Sequence, residues 1–256
     1  MDCCRVAIEI WRSKRLMFPT RRITTSGGDV FRDEYSLAFD GGDEYVDCGN
    51  TNNLGTADFS IIMWVKSSDL TTNYFISKRE DDNNRWYIRG DGNDKIQFYS
   101  KTSDTAILDF KTDTAWTSLE NTWIHIAVTA NRSGEEQKIY INGVLDRTDD
   151  DDSATTLNND GNLYIGRFHS GYSNSTMSEI AIYTSALSAS QVATLYNGRE
   201  PYNHKEGIVS GNLTAWWRMG DGLENHSGTT IYDMSDNTNN GTMTNMDAEN
   251  FKGDTP

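Results

Sequence analysis

The sequence predicts an all-β protein, an antiparallel β-sandwich with one short helix. Three observations predict it. Short segments of alternating apolar and polar residues recur along the chain, separated by turns rich in Gly, Asn, Asp and Ser. Hydrophobic residues make up only 36% of the 256 positions, yet Trp and Tyr are plentiful, as suits sheets in which every second residue must be apolar. Only one segment, residues 188–198, carries the start and stop signals of a helix.

The elements follow in order. Residues 36–40 and 44–48 flank Gly41-Gly42 and read as a hairpin. Residues 59–66 place Phe59, Ile61, Met63 and Val65 on one face and Ile62 and Trp64 on the other. Residues 74–78, 85–89 and 95–100 continue as an antiparallel meander, with Asp91-Gly92-Asn93-Asp94 as a turn. Residues 123–130 and 138–141 pair across Asn131-Arg132-Ser133-Gly134, and Asn142-Gly143 signals a type I′ turn into a return strand at Val144-Leu145. Residues 163–166 and 177–184 complete the strands. The last runs into the helix, with Ser188 as N-cap, Gln191 three residues on, and Gly198 to end it in a left-handed conformation.

Three stretches differ in character. Residues 1–34 are locally basic and read as an arm or docking segment that could anchor the domain to a larger assembly. Residues 35–199 hold the strand pattern. Residues 200–256 carry Trp216, Trp217 and Met219, too apolar to leave wet, in a remnant too small to bury a core alone. This tail either folds back to supply an edge strand of its own sandwich or begins a second module. The former is preferred.

The formal net charge of −15 argues against nucleic acid as a partner and suits either solubility or cation binding by acidic loops. The cysteines Cys3, Cys4 and Cys48 are odd in number, and two are adjacent, so no disulfide framework is implied. No apolar run is long enough to span a membrane. Arg5, Glu9, Arg12, Lys14 and Arg15 interrupt the apolar residues at the start, so no ordinary signal peptide is expected.

Catalytic patterns are absent. Glu44 and Asp47 are three apart and face opposite sides of a strand, while Glu179 stands alone, so the close carboxylate pair of a retaining glycosidase is not seen. There is no Gly-x-Ser-x-Gly elbow, no phosphate loop and no zinc spacing among the four histidines and the cysteines. Arg89-Gly90-Asp91 spells an integrin-type tripeptide, which short chance matches also produce. The chain is therefore expected not to be an enzyme.

For sugar binding, an exposed aromatic beside planar polar groups is the useful chemistry. Asn83, Asn84, Arg85, Trp86 and Tyr99 are candidates at one sandwich edge, with His169 and Tyr172 on a neighbouring loop. The competing reading makes Trp86 and Tyr99 core or cross-strand partners. For calcium, Asp81 and Asp82 offer oxygens after the 74–78 strand, and Asp233 sits in an Asx-rich loop with Ser235, Asp236, Asn237 and Asn239.

Phe39-Asp40-Gly41 with Tyr45-Val46, Phe59-Ser-Ile-Ile-Met-Trp-Val65, Trp123-Ile-His-Ile-Ala-Val128, Ile139-Tyr-Ile-Asn-Gly143 and the 180–198 segment, in that order, resemble the laminin-G-like, concanavalin A-like lectin (jelly-roll) family, which also holds pentraxins. The resemblance covers roughly residues 35–199 and implies a jelly roll. It implies a structural cation near Asp40 and Asp43 with Glu179. It also likens Ser77–Asn83 to the pentraxin calcium segment, although Gly166-Arg167-Phe168-His169-Ser170 lacks the acids that a pentraxin carries next. The tail, through Trp216-Trp-Arg-Met-Gly-Asp221 and Gly241-Thr-Met-Thr-Asn-Met246, is similar to phage virion proteins. The function this implies is a non-catalytic binding and structural module, recognising a glycan or cell-surface polysaccharide on a virion or extracellular surface. The alternatives are a purely architectural capsid or tail protein without ligand, and a glycoside hydrolase.

Overall fold

A computed structural model describes residues 31–103, 105–150 and 155–256. The chain divides into the units Met1–Phe31 and Arg32–Pro256. Most of the basic arm expected at residues 1–34 lies outside the described residues, as do Cys3 and Cys4. The second unit contains β1 (Ser36–Asp40), β2 (Tyr45–Asp47), β3 (Phe59–Lys66), β4 (Tyr74–Arg79), β5 (Arg85–Gly90), β6 (Ile96–Thr102), β7 (Thr105–Lys111), β8 (Ile124–Asn131), β9 (Glu136–Ile141), β10 (Val144–Asp150), β11 (Asn162–Ile165), β12 (Arg167–Phe168), β13 (Gly171–Tyr172), β14 (Asn174–Tyr183), helix α1 (Ala189–Tyr196), β15 (Leu213–Trp217), β16 (Thr230–Ile231), β17 (Gly241–Thr244) and β18 (Phe251–Lys252).

Two antiparallel sheets face each other. The first runs β10-β9-β8-β3-β14-β1-β18, and β15 also pairs with β14. The second runs β16-β17-β2-β11-β4-β5-β6-β7. Alternation decides which residues meet between them. Phe59, Ile61, Met63 and Val65 of β3 face Trp86 and Ile88 of β5, Ile96 and Phe98 of β6, and Leu163 and Ile165 of β11 in one buried cluster. The other face of β3 is buried too, because α1 lies over it: Trp64 stacks on Tyr196, with ring centroids 5.7 Å apart, and Val192 and Leu195 are buried beneath the helix. That helix begins as its sequence signal indicates. Ser188 Oγ accepts from the Gln191 N–H and Gln191 Oε1 accepts from the Ser188 N–H, and the chain leaves through Asn197 and Gly198 at positive φ.

The type I′ turn is also present, with Asn142 at φ 52° and Gly143 at φ 76°. The hairpin expected across Gly41-Gly42 is not. β1 pairs with β14 and β18 in the first sheet, whereas β2 pairs with β11 and β17 in the second. Residues 41–44 form an arch between the layers, in which Asp40 Oδ1 accepts from the Gly42 N–H and Glu44 Oε2 from the Asp40 N–H. Leu37 and Phe39 thereby reach the core from one sheet and Val46 from the other, which a hairpin within one sheet would forbid. A strand that the sequence pattern does not assign, β7, closes the second sheet against β6.

The tail strands enter both layers. β15 pairs along residues 180–183 of β14, and β18 pairs with β1. β17 pairs with β2, and β16 with β17. Trp217 is fully buried in the common core, and its Nε1 donates to the Asn239 carbonyl at 2.8 Å. Trp217→Ala removes one of the largest core side chains, so it is expected to cost about 3–5 kcal/mol in urea denaturation. A loss under about 1 kcal/mol would show that the tail does not share the core's cooperativity.

Candidate functional site

The outward face of the second sheet follows from its inward one. With Val46, Leu163, Ile165, Ile76, Trp86, Ile88 and Phe98 committed to the core, their strand neighbours Tyr45, Tyr164, Tyr87 and Tyr99 point the other way, as do Arg85 and Arg89. Tyr74 and Arg79 lie across from Arg89 and Arg85. Five tyrosines on five adjacent strands thus share one face.

The rings and guanidinium groups form two assemblies. In one, the Arg167 guanidinium sits 4.4 Å from the Tyr45 ring centroid, 4.9 Å from Tyr164 and 5.7 Å from Tyr172. In the other, Tyr87 and Tyr99 stack at 5.1 Å, Arg85 lies 5.8 Å from Tyr99, and Arg89 lies 5.3 Å from Tyr87 and 5.6 Å from Tyr74. The β12–β13 hairpin folds onto this face and sets Phe168 4.9 Å from Tyr74 and 4.8 Å from Tyr87. Each cation–π contact contributes about 0.5–1 kcal/mol at an exposed site. Two or three of them offset much of the roughly 2 kcal/mol of rotamer entropy that an arginine loses when fixed. Burial pushes Tyr87 up to about 12 and also raises Tyr164, so both remain neutral phenols and hydrogen-bond donors at neutral pH. A shallow groove of about 460 Å³ continues the face where Asp47, Asn162, Thr242 and Thr244 meet. A separate cleft of about 370 Å³ at the end of the sandwich offers Asn52, Asn53, Asn237 and Asn239, but its aromatic rings, Phe59 and Tyr183, are buried and give no stacking surface.

Of the residues expected to bind sugar, Arg85, Tyr99 and Tyr172 lie on this face, and His169 is exposed at the tip of the β12–β13 hairpin. Asn83 and Asn84 belong to the β4–β5 turn, where their N–H groups donate to Asp81 Oδ1. Trp86 is a correction. It is fully buried between the sheets because it alternates with Arg85 and Tyr87. Sequence reasoning missed Tyr45, Tyr74, Tyr87, Tyr164, Arg89 and Arg167. The signal available for the strand residues was alternation, since fixing Trp86 inward sends Tyr87 and Arg89 outward.

The cation candidates do not converge. Asp40 pairs with Asn174, which puts Glu179 about 16 Å away along β14, so Asp40 and Asp43 cannot share an ion with it. Asp81 closes its turn, and Asp82 pairs with Arg79 at 2.9 Å and with Arg85 at 3.4 Å. Hydrogen bonding from Arg79, then its charge, holds Asp82 below the usual carboxylate range. Asp233 accepts from the N–H groups of Trp216, Ser235 and Asn239, tying the Asx-rich loop to β15. These donor sets fit structural anchors better than a calcium shell. Asp69, Asp94 and Glu120 are the one group of three acids that converges among the described residues.

The Arg89-Gly90-Asp91 tripeptide is not displayed. Asp91 is 2% exposed, accepts from the N–H groups of Asn93 and Lys95, and pairs with Lys111 at 2.9 Å. A Cβ on Gly90 would lie 1.6 Å from the Leu70 carbonyl oxygen, so close backbone approach requires that glycine.

Residues 40–193 match the laminin G model of the concanavalin A-like lectin/glucanases superfamily. The chain belongs to this superfamily. No curated protein sequence matches it. Solved structures similar to this one include a Bacteroides ovatus protein provisionally designated as carbohydrate-binding, at 18% identity and a TM-score of 0.64, covering 87% of this chain and 60% of that one. This chain therefore spans about three-fifths of that protein. A heptameric pentraxin of Limulus polyphemus matches at 12% identity and a TM-score of 0.52, over 66% of this chain and 84% of that one. Domain 4 of an extracellular arabinanase from Geobacillus stearothermophilus, in complex with arabinotriose, matches at 21% identity and a TM-score of 0.51, over 63% and 76%. At these identities the likeness establishes the fold.

Glu179 has a different role from the expected ion ligand. It is fully buried at φ 50°, where β14 changes register against β3 and passes from β1 to β15. Its carboxylate accepts from Trp216 Nε1 at 2.5 Å and from Arg218 Nε at 2.9 Å. Asp33 lies against it, and burial, then the Glu179 charge, pushes Asp33 up to about 10, while burial raises Glu179 to about 6 against the pull of Arg218. The Asp33–Glu179 pair of the folded protein therefore keeps a proton that the unfolded chain releases near pH 4. Between those values the folded state binds the extra proton, so its stability falls as pH rises. The buried neutral His125 and His204, both held down to about 3 by burial, act in the opposite sense only below roughly pH 6.5. Between roughly pH 7 and 8.5, the wild type should lose more thermal stability than Asp33→Asn. Equal slopes in the two proteins would contradict the buried-proton assignment.

Proposed function

We propose that the chain is a non-catalytic glycan-binding module that holds its ligand on the outer face of the second sheet. The observation that carries this reading is the set of half-buried tyrosine rings, Tyr45, Tyr74, Tyr99 and Tyr164, interleaved with guanidinium groups on one face, with Tyr87 buried among them as support. Aromatic faces pack on the C–H faces of sugar rings, while Arg, Tyr hydroxyl and Asn groups bond the hydroxyls. A sheet face presents such groups at strand spacing, about 4.8 Å, in a row suited to an extended chain.

The same face argues against hydrolysis. Its outward strand carboxylates, Asp47 on β2 and Asp109 on β7, are separated by five strand steps, about 24 Å, far beyond the roughly 5–10 Å that glycosidase pairs need. The carbohydrate-binding designation of the Bacteroides protein and the arabinotriose complex of the arabinanase domain support the reading.

Isothermal titration against glycans selected from an array is expected to give saturable binding. Tyr99→Ala, which removes a half-buried ring without touching the core, should weaken it roughly tenfold. An array without saturable ligands, or an affinity indifferent to Tyr99→Ala, would refute the proposal.

A further inference from the structure

The charge on the face is opposite to the charge of the chain. The protein carries −15 overall, yet Arg79, Arg85, Arg89 and Arg167 gather over β4, β5 and the β12–β13 hairpin. Arg79 and Arg85 share one carboxylate, Asp82, whose side chain is 80% exposed. Arg89 donates only to neutral acceptors, Gln97 Oε1 at 2.7 Å and Tyr74 Oη at 3.2 Å. Arg167 donates Nε to the His169 carbonyl at 3.0 Å. Neither is in an ion pair among the described residues. The two outward carboxylates of the strands share the face, Asp47 opposite Tyr164 and Asp109 opposite Tyr99, and each is engaged by an amide, Asp47 by Asn162 and Asp109 by Gln97, so the four guanidinium groups still outnumber them and Asp82.

A guanidinium is always charged and has five donors in a planar fork. Arg167 spends one and Arg89 two, and tyrosine rings lie against both groups. The remaining donors match an oxyanion, for which charge-assisted bonds are about twice as strong as those to a neutral hydroxyl. Acids elsewhere on the surface are screened beyond a Debye length of about 8 Å at physiological salt, so the local surplus governs what docks here. The negative remainder disfavours the continuous phosphate line of a nucleic acid.

We propose that this face selects acidic polysaccharide, with the carboxylate or sulfate groups of the chain on Arg89 and Arg167 and its sugar rings on the tyrosines. The proposal rests on the glycan-binding reading above and adds the ligand's charge.

The test measures affinity of the whole protein for polygalacturonate, its methyl-esterified form, dextran sulfate, dextran and single-stranded DNA, each at low and at physiological salt. Binding is expected to polygalacturonate, dextran sulfate or both, with loss on methyl esterification and on replacement by dextran. The preferred acid distinguishes a uronate from a sulfate ester. Arg89→Gln and Arg167→Gln should each weaken binding roughly tenfold, and Arg199→Gln, exposed after α1, should leave it unchanged. Melting curves of the variants separate lost binding from lost folding, and the esterification comparison uses wild-type protein alone. Equal affinity for the esterified and free polymers, or for dextran and its sulfate, overturns the charge assignment while leaving glycan binding intact. Comparable affinity for DNA overturns it as well. Failure to bind any polysaccharide on this panel or an array removes both.

Discussion

The structure depends on the requirement that two eight-stranded sheets exclude water from the faces they turn toward each other. A strand has only two sides, so each residue committed to the core assigns its neighbours to the exterior. The inward set Trp86, Ile88, Phe98, Leu163 and Ile165 therefore also arranges Tyr87, Tyr99 and Tyr164 outside. Stability and the proposed recognition occupy opposite faces of the same strands. Lys78 is the exception that shows the cost: it points inward, and its ammonium is satisfied only by reaching Asn50, Thr51 and Gly161.

The first sheet is covered on its far side as well. Helix α1 and the segment after it bury Trp64, His125, Tyr183, His204 and Trp216 in a second, smaller layer. In that layer Tyr183 and His204 hydrogen-bond to each other, and Trp216 Nε1 donates to Glu179. The outer face of the second sheet lacks such a layer and is crossed by the β12–β13 hairpin, and it is there that we propose the ligand lies.

Features governed by nearby residues were legible in the sequence. The capping box at Ser188 and the Asn142-Gly143 turn depend on contacts a few positions apart, and both are present. The β-sandwich and its superfamily were legible for a related reason, because alternation survives in single strands. What failed required knowledge of partners. Gly41-Gly42 announces a reversal but cannot say whether the chain returns beside itself or crosses to the opposite layer. Trp86 and Tyr99 were treated as one cluster by residue type, though they face opposite ways. The tyrosine face joins β2 and β11, far apart in the chain, to the β4–β6 meander, and Arg167 reaches it from a hairpin whose sequence looks like a plain loop. Glu179 looked isolated because Arg218, Trp216 and Asp33 are distant in sequence.

The pairing of β18 with β1 brings the two ends of the Arg32–Pro256 unit side by side. Ser36 Oγ donates to the Asp254 carbonyl at 2.6 Å, and Thr255 Oγ1 to that of Asp33 at 3.1 Å. A short linker could join these ends into a covalent ring with both layers undisturbed. Such a ring would restrict the denatured chain more than the native one, raising resistance to heat without a new contact at the tyrosine face.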